Sequence, residues 1–204
     1  MSINKDEIRR VVEKVWMRLG IALRADRRGP VQLAPFMQTY NLLHIALPRL
    51  SNAVVYDYLR SQGIPPADIG DEDMDLAGFL FITPSVGLVF VNSADPVPRQ
   101  RFSAAHELGH YLLHRGKMRG VALADTPKNF TLTEKQSNVH ELEANRFAVE
   151  LLMPETICRL RANEFKRAYG VCPQSPLAHN LAAGFLVSRE AMLYRLQELE
   201  VGDA

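Results

Sequence analysis

The sequence predicts an α+β fold, mostly helical, with one small antiparallel hairpin packed against a helix that carries two histidines. Three observations lead there. Apolar residues recur at helical spacing along most of the chain, beginning with Ile8, Val11, Val12, Val15 and Leu19. One stretch, Gly78 to Asn92, instead holds two short runs rich in Phe, Val and Ile, divided by Pro84-Ser85-Val86-Gly87. The helix that follows places Phe102, Ala105, Leu108, Leu112 and Leu113 among His106, Glu107 and His110, so its polar side chains project from a partly buried helix.

In order, residues 4 to 19 form an amphipathic helix, and Arg24–Arg28 with Gly29-Pro30 reads as a linker. A second helix is expected after Val31 and a third near Ser51 to Arg60. Residues 62 to 77, with Gly63, Pro65, Pro66 and Gly70, form a loop. Its acidic run lacks the spacing of a calcium-binding loop and reads as a solvated surface. After the hairpin, Asp95 is a candidate cap for a helix running to about His114, with prolines confined to the first turn. Thr133 and Gln136 form a capping box for a helix that ends before Pro154. Another helix runs to about Ala168, and two short ones, Leu177 to Ala183 and Arg189 to Leu199, follow the break at Gly170 to Pro176. The 204 residues are read as a single domain: a helical segment over 1–62, the hairpin and histidine helices over 63–154, and a helix-turn-helix-like region over 155–204.

Composition narrows the function classes. The chain is 47% apolar and 23% charged, enough for a well-buried core. A formal charge of +1 supplies no global field toward nucleic acid or an anionic membrane. Two cysteines, Cys158 and Cys172, make neither a disulfide framework nor a thiolate metal site. No apolar run approaches the ~20 residues of a membrane span. The first residues mix acids and bases and lack a secretory apolar core. The expectation is a soluble, cytoplasmic protein that does not engage a membrane.

The chemistry concentrates in His106-Glu107-Leu108-Gly109-His110. Positions i and i+4 of a helix stand about 6 Å apart on one face, so two imidazoles there can share one metal ion. Glu107 lies about 100° around the helix, where a general base can take a proton from an activated water. Gly109, a poor helix former, is read as a point of close approach to the neighbouring strand. A third ligand is needed. His114 stands about 12 Å along the axis from His106, too far to bridge the same ion, and is read as a supporting or structural residue. Glu141 on the next long helix is the favoured ligand and Glu143 the rival. The two are rotated about 200° apart, so only one can face the ion. Asn145, one turn from Glu141, is placed to hydrogen-bond a ligand histidine. His140 is read as an exposed residue that could line the cleft, and Phe147, Ala148 and Leu151 as the packing face opposite Glu141. Two histidines and a carboxylate suit zinc best, with manganese also accepted.

The stretches LVFVN, RQRFSAAHELGHYLLH, ELEANRFAVELLMP and LAAGFLVSREAMLYRLQEL resemble the ImmA/IrrE family of metallopeptidases. The resemblance covers about Val31 to Leu199 and is most specific between Arg99 and Pro154. It implies a zincin-like fold, His106, His110 and Glu141 as zinc ligands, and Glu107 as general base. Related peptidases often carry aspartate at the position of Asn145, so the neutral amide suggests a weaker acceptor here. The resemblance also implies a protein substrate, a Cro/cI-like helix-turn-helix repressor whose cleavage derepresses phage, mobile-element or stress genes. With no sensor domain in the sequence, an activating signal is expected to act on the substrate, the metal supply or a partner.

Two other readings stand beside this one. The tail LAHNLAAGFLVSREAMLYRL has a helix-turn-helix pattern and could make the protein a DNA-binding regulator. Residues 155–204 carry six bases and six acids, however, so direct nucleic-acid binding is not expected. The simpler role for these helices is packing through Leu177, Leu181, Phe185, Met192 and Leu196. A purely structural metal site is the third reading, and Glu107 argues against it. The edge of strand Leu88 to Asn92 is the expected support for a substrate backbone. The candidates for steadying an oxyanion are His179, Arg189, Arg195, Tyr111 and Tyr194.

Overall fold

The computed structural model describes residues 4–20, 29–65, 74–115, 123–125 and 139–202. The linker at Arg24–Arg28, the acids Asp71 to Asp73 and the Thr133–Gln136 box lie outside them. Helix α1 (Lys5–Arg18) buries Ile8, Val12, Val15 and Trp16, the stripe set by its periodicity. Asn4 caps it, accepting from the Glu7 amide at 3.1 Å. Helix α2 (Ala34–Thr39) is short, and β1 (Leu42–Leu47) follows where no strand was expected. Leu-Leu-His-Ile-Ala-Leu has no period that separates helix from strand. Asn41 at φ 55° breaks the helix, and pairing with a distant strand decides the rest. Helix α3 (Asn52–Ser61) starts on Ser51, whose hydroxyl accepts from the Val54 amide.

Strands β2 (Gly78–Ile82) and β3 (Gly87–Asn92) form the expected antiparallel hairpin, and β4 (Leu123–Asp125) lies beyond β2. The sheet order is β1-β3-β2-β4, with β1 parallel to β3 and the other pairs antiparallel. This changes one expectation. Strand β3 is interior, its hydrogen-bonding groups shared between β1 and β2, so it has no edge to offer a substrate. Among the described residues the edges are β1 and β4.

Both faces of the hairpin are covered. Leu88 and Phe90 join Phe79 and Phe81 against Val55 and Leu59 of α3. Leu80, Val89 and Val91 meet a larger core built by α4 (Val97–His114), α5 (Val139–Leu152) and the C-terminal helices. That is why the strands read as unbroken apolar runs rather than alternating ones. Helix α4 opens on Pro96, with Pro98 in its first turn. Asp95 therefore does not cap it; it lies four residues from Arg99 and accepts from Arg99 Nε at 3.2 Å.

Helices α6 (Glu155–Tyr169), α7 (Gln174–Phe185) and α8 (Arg189–Glu198) complete the described chain. Leu177, Leu181, Phe185, Met192 and Leu196 are all buried in the main core. An ion network ties α5 and α8 to α1. Arg195 donates to Glu150 Oε2 at 2.7 Å and to the Met153 carbonyl at 3.1 Å, and Arg146 bridges Glu150 and Glu198. Buried charges persist when paired and hydrogen-bonded in this way. Cys158 and Cys172 are free and buried, and burial pushes the Cys158 thiol up to about 12. No helix among the described residues is long and apolar enough to cross a membrane.

Candidate metal centre

Among the described elements, helices α4 and α5 make the most extensive contact, and the site lies in it. Their close approach depends on Gly109. A Cβ there would stand 3.1 Å from Phe147 Cβ and 3.2 Å from the Ala144 Cα, so the partner in close approach is α5, not a strand. Phe147 accordingly packs on the α4 side rather than away from it. This proximity brings Glu141, at the first turn of α5, onto the histidine face of α4.

His106 Nε2 and His110 Nε2 lie 2.9 Å apart. Glu141 places Oε2 at 3.3 Å from His106 Nε2 and Oε1 at 3.2 Å from His110 Nε2. Both histidines are about 1% exposed, so these groups meet in a buried space. His106 Nδ1 is 2.9 Å from Asn145 Oδ1, an N–H donating to an amide oxygen. That bond leaves the His106 Nε2 lone pair directed at the shared point, the tautomer a metal ligand requires. Burial pushes the His110 imidazole below its ordinary value, with Glu141 opposing and His106 adding to the fall. Burial alone would raise the Glu141 carboxyl, but His106 and His110 outweigh it and hold it well below the usual carboxylate range.

Two imidazole nitrogens and a carboxylate thus converge in a buried space. Glu141 Oε2 is shielded from solvent and faces His106 Nε2 at 3.3 Å. Like-signed electron pairs this close repel unless a cation lies among them. The donor set fits a divalent ion.

Glu107 is fully buried beside His106. It packs against Gly78, at the start of β2, where a Cβ would stand 2.7 Å from its Oε1. Gly78 pairs with Asp125 of β4, so the short edge strand adjoins the strand that packs on this carboxylate. A glycine opening a strand signals such close approach.

The remaining candidates fall elsewhere. Glu143 does not point away from α4; its Oε2 is 2.9 Å from His114 Nε2. His114 is 1% exposed, and its Nδ1 is 3.2 Å from His110 Nδ1. His140 is half-buried rather than exposed, its ring 4.3 Å from that of His114. Among the proposed oxyanion groups, Arg195 is consumed by the ion network. His179 and Arg189 line a surface groove with Phe165 and Tyr169. Tyr194 is exposed, and Tyr111 accepts from Arg115 through its hydroxyl. None of the five bonds to His106, His110 or Glu141 among the described residues.

No curated protein matches the chain. A family model does: that of the IrrE N-terminal-like domain, a peptidase family, aligns with residues 62–197, which include every residue of the convergent site. That span takes in the hairpin, both site helices and nearly all of the C-terminal helices around one zincin-like α+β core, and the chain belongs to the IrrE N-terminal-like family of peptidases, Peptidase M78.

Proposed function

We propose that this protein is a zinc-dependent endopeptidase that cleaves a Cro/cI-like helix-turn-helix repressor. The observation that carries the reading is the convergence of His106 Nε2, His110 Nε2 and the Glu141 carboxylate next to a buried Glu107. His106, His110 and Glu141 would hold the ion, leaving a fourth position open. When bound, zinc supplies Lewis acidity that makes water nucleophilic near neutral pH and polarises a peptide carbonyl. Glu107 takes the proton from the attacking water and returns it to the departing amine. Asn145 holds His106 in its ligating tautomer.

The substrate backbone lies along β4. It pairs with β2 on one side only among the described residues and aligns with Gly78, the residue that packs on Glu107. An extended peptide adds to such an edge through main-chain hydrogen bonds.

The DNA-binding alternative gains nothing from the fold. The apolar faces of α7 and α8 are spent on the core, and residues 155–204 carry no net basic charge. The test is incubation of the zinc-loaded protein with a Cro/cI-like repressor from its own genome. Two defined fragments are expected, with none from Glu107→Gln. An uncut repressor set that includes all such proteins of the genome would overturn the substrate assignment.

A further inference from the structure

His114 and Glu143 take no part in the convergent site, yet the structure joins them to it. We infer that Glu143 and His114 are positioning residues that extend the hydrogen bonding of His110 into a carboxylate–imidazole–imidazole relay. This rests on the reading above that His110 holds the metal through Nε2. A histidine that ligates through Nε2 carries its proton on Nδ1. The hydrogen-bond partner of that nitrogen is His114 Nδ1, at 3.2 Å. Two N–H groups cannot face each other there, so His114 Nδ1 is the acceptor and holds no proton. A neutral His114 then carries its proton on Nε2, where Glu143 Oε2 accepts it at 2.9 Å.

The direction of the whole chain follows from one end: His110 Nδ1–H to His114 Nδ1, and His114 Nε2–H to Glu143. His114 is buried, so water does not compete for either nitrogen. The half-buried ring of His140 lies against it on one side. The anionic Glu143 makes His114 a better acceptor, and His114 in turn makes His110 a more basic ligand. His106 is served by the neutral amide of Asn145, so the charged support for the pair of histidines enters through His110.

His114, His140 and Glu143 also bring donor atoms within 4.8 Å of one another, the other use such a cluster can have. The relay places a proton on His114 Nε2, the atom a second ion would need, and the two uses are therefore distinguishable.

The test is long-range proton–nitrogen correlation on zinc-loaded protein labelled with ¹⁵N-histidine, paired with zinc affinity by chelator competition. The relay predicts a metal-shifted Nε2 with a protonated Nδ1 for His110, and an unprotonated Nδ1 with a protonated Nε2 for His114. Loss of outer partners of metal-bound histidines costs about 10–100-fold in affinity, and a loss in that range is expected for His114→Phe. Glu143→Ala is expected to show a smaller loss, partly restored in Glu143→Gln, which keeps the acceptor without the charge. In the His114→Phe background Glu143→Ala should add nothing. A His114 protonated on Nδ1, or a second zinc equivalent bound at its Nε2, overturns the relay while leaving the zinc reading intact. A His110 Nε2 without a metal shift removes both.

Discussion

Gly109→Ala is the substitution that asks most of the α4–α5 contact. On an unencumbered helix it would stabilise by about 1 kcal/mol through propensity alone. Here the new methyl would lie 3.0 Å from Phe147 Cδ1, 3.1 Å from Phe147 Cβ and 3.2 Å from the Ala144 Cα. Carbon atoms rest at about 3.5–4.0 Å, so α5 must retreat by about 0.3–0.5 Å, and backbone is among the atoms that move. Overpacking of this kind costs about 1–3 kcal/mol. The net is a loss near 1 kcal/mol, which for a chain of this size lowers Tm by about 2–4 °C. Two donors ride on α4 and the third on α5, only three residues before Ala144. Metal–donor distances are tolerated to about ±0.2 Å, so the retreat strains the ion's coordination, and zinc affinity should fall about tenfold, or about 1.4 kcal/mol. Thermal unfolding of the metal-free protein and chelator competition read the two effects separately. A variant that gains stability and binds zinc as the wild type does would refute the claim that this glycine sets the spacing of the site.

Gly78→Ala should do the reverse. Its methyl meets Glu107 Oε1 at 2.7 Å, with Glu107 Cγ and Ser103 Cβ at 3.3 Å, so the carboxylate must shift; fold and zinc affinity should hold while peptide-bond cleavage drops at least about tenfold, and equal turnover would show that Glu107 works from another position. Arg195→Ala takes from buried Glu150 one of three cations, with Arg146 and Arg9 remaining, so the cost falls below the about 3–5 kcal/mol of a buried charge that loses its sole partner. Denaturant unfolding should show that loss, and zinc affinity in the folded variant should be unchanged; a variant of normal stability that binds zinc but cannot cleave would return Arg195 to the oxyanion candidates. For Glu198, burial favours the neutral acid, but Lys5, Arg146 and Arg195 outweigh it and bring the carboxyl from 4.5 down to about 2. Its folded value is depressed, so its contribution is complete above about 4.5 and lost as pH falls toward about 2. Glu198→Gln should flatten the stability profile across that window in urea unfolding at stepped pH, and an unaltered profile would contradict the network.

Much of the site was legible because helix geometry is rigid. The spacing of His106 and His110 fixes a shared face. The pairing of Glu141 with Asn145 fixes which side of α5 turns to it, and the structure brings Asn145 to His106 Nδ1. The C-terminal helices were legible for the same reason, through Leu177, Leu181, Phe185, Met192 and Leu196. What could not be read depends on long-range pairing. Strand β1 has no distinguishing period, and only its alignment with β3 makes it a strand. That alignment also closed the edge of β3, so that among the described residues the sheet edges are β1 and β4. Glu143 was read by rotation about its own helix axis. Its side chain is long enough to swing back to His114, a turn beyond His110, and no one-helix projection contains that residue. Asp95 was read as a cap from residue type alone, although Pro96 occupies the position and Arg99 lies within reach.

The most direct measurement is an anomalous-scattering map at the zinc edge from crystals of the zinc-loaded protein. The account predicts one strong peak at bonding distance, about 2.0–2.2 Å, from His106 Nε2, His110 Nε2 and a Glu141 oxygen, with Glu107 outside the coordination sphere. A peak held instead by His114, His140 and Glu143, or one that takes Glu107 as a ligand, would contradict it.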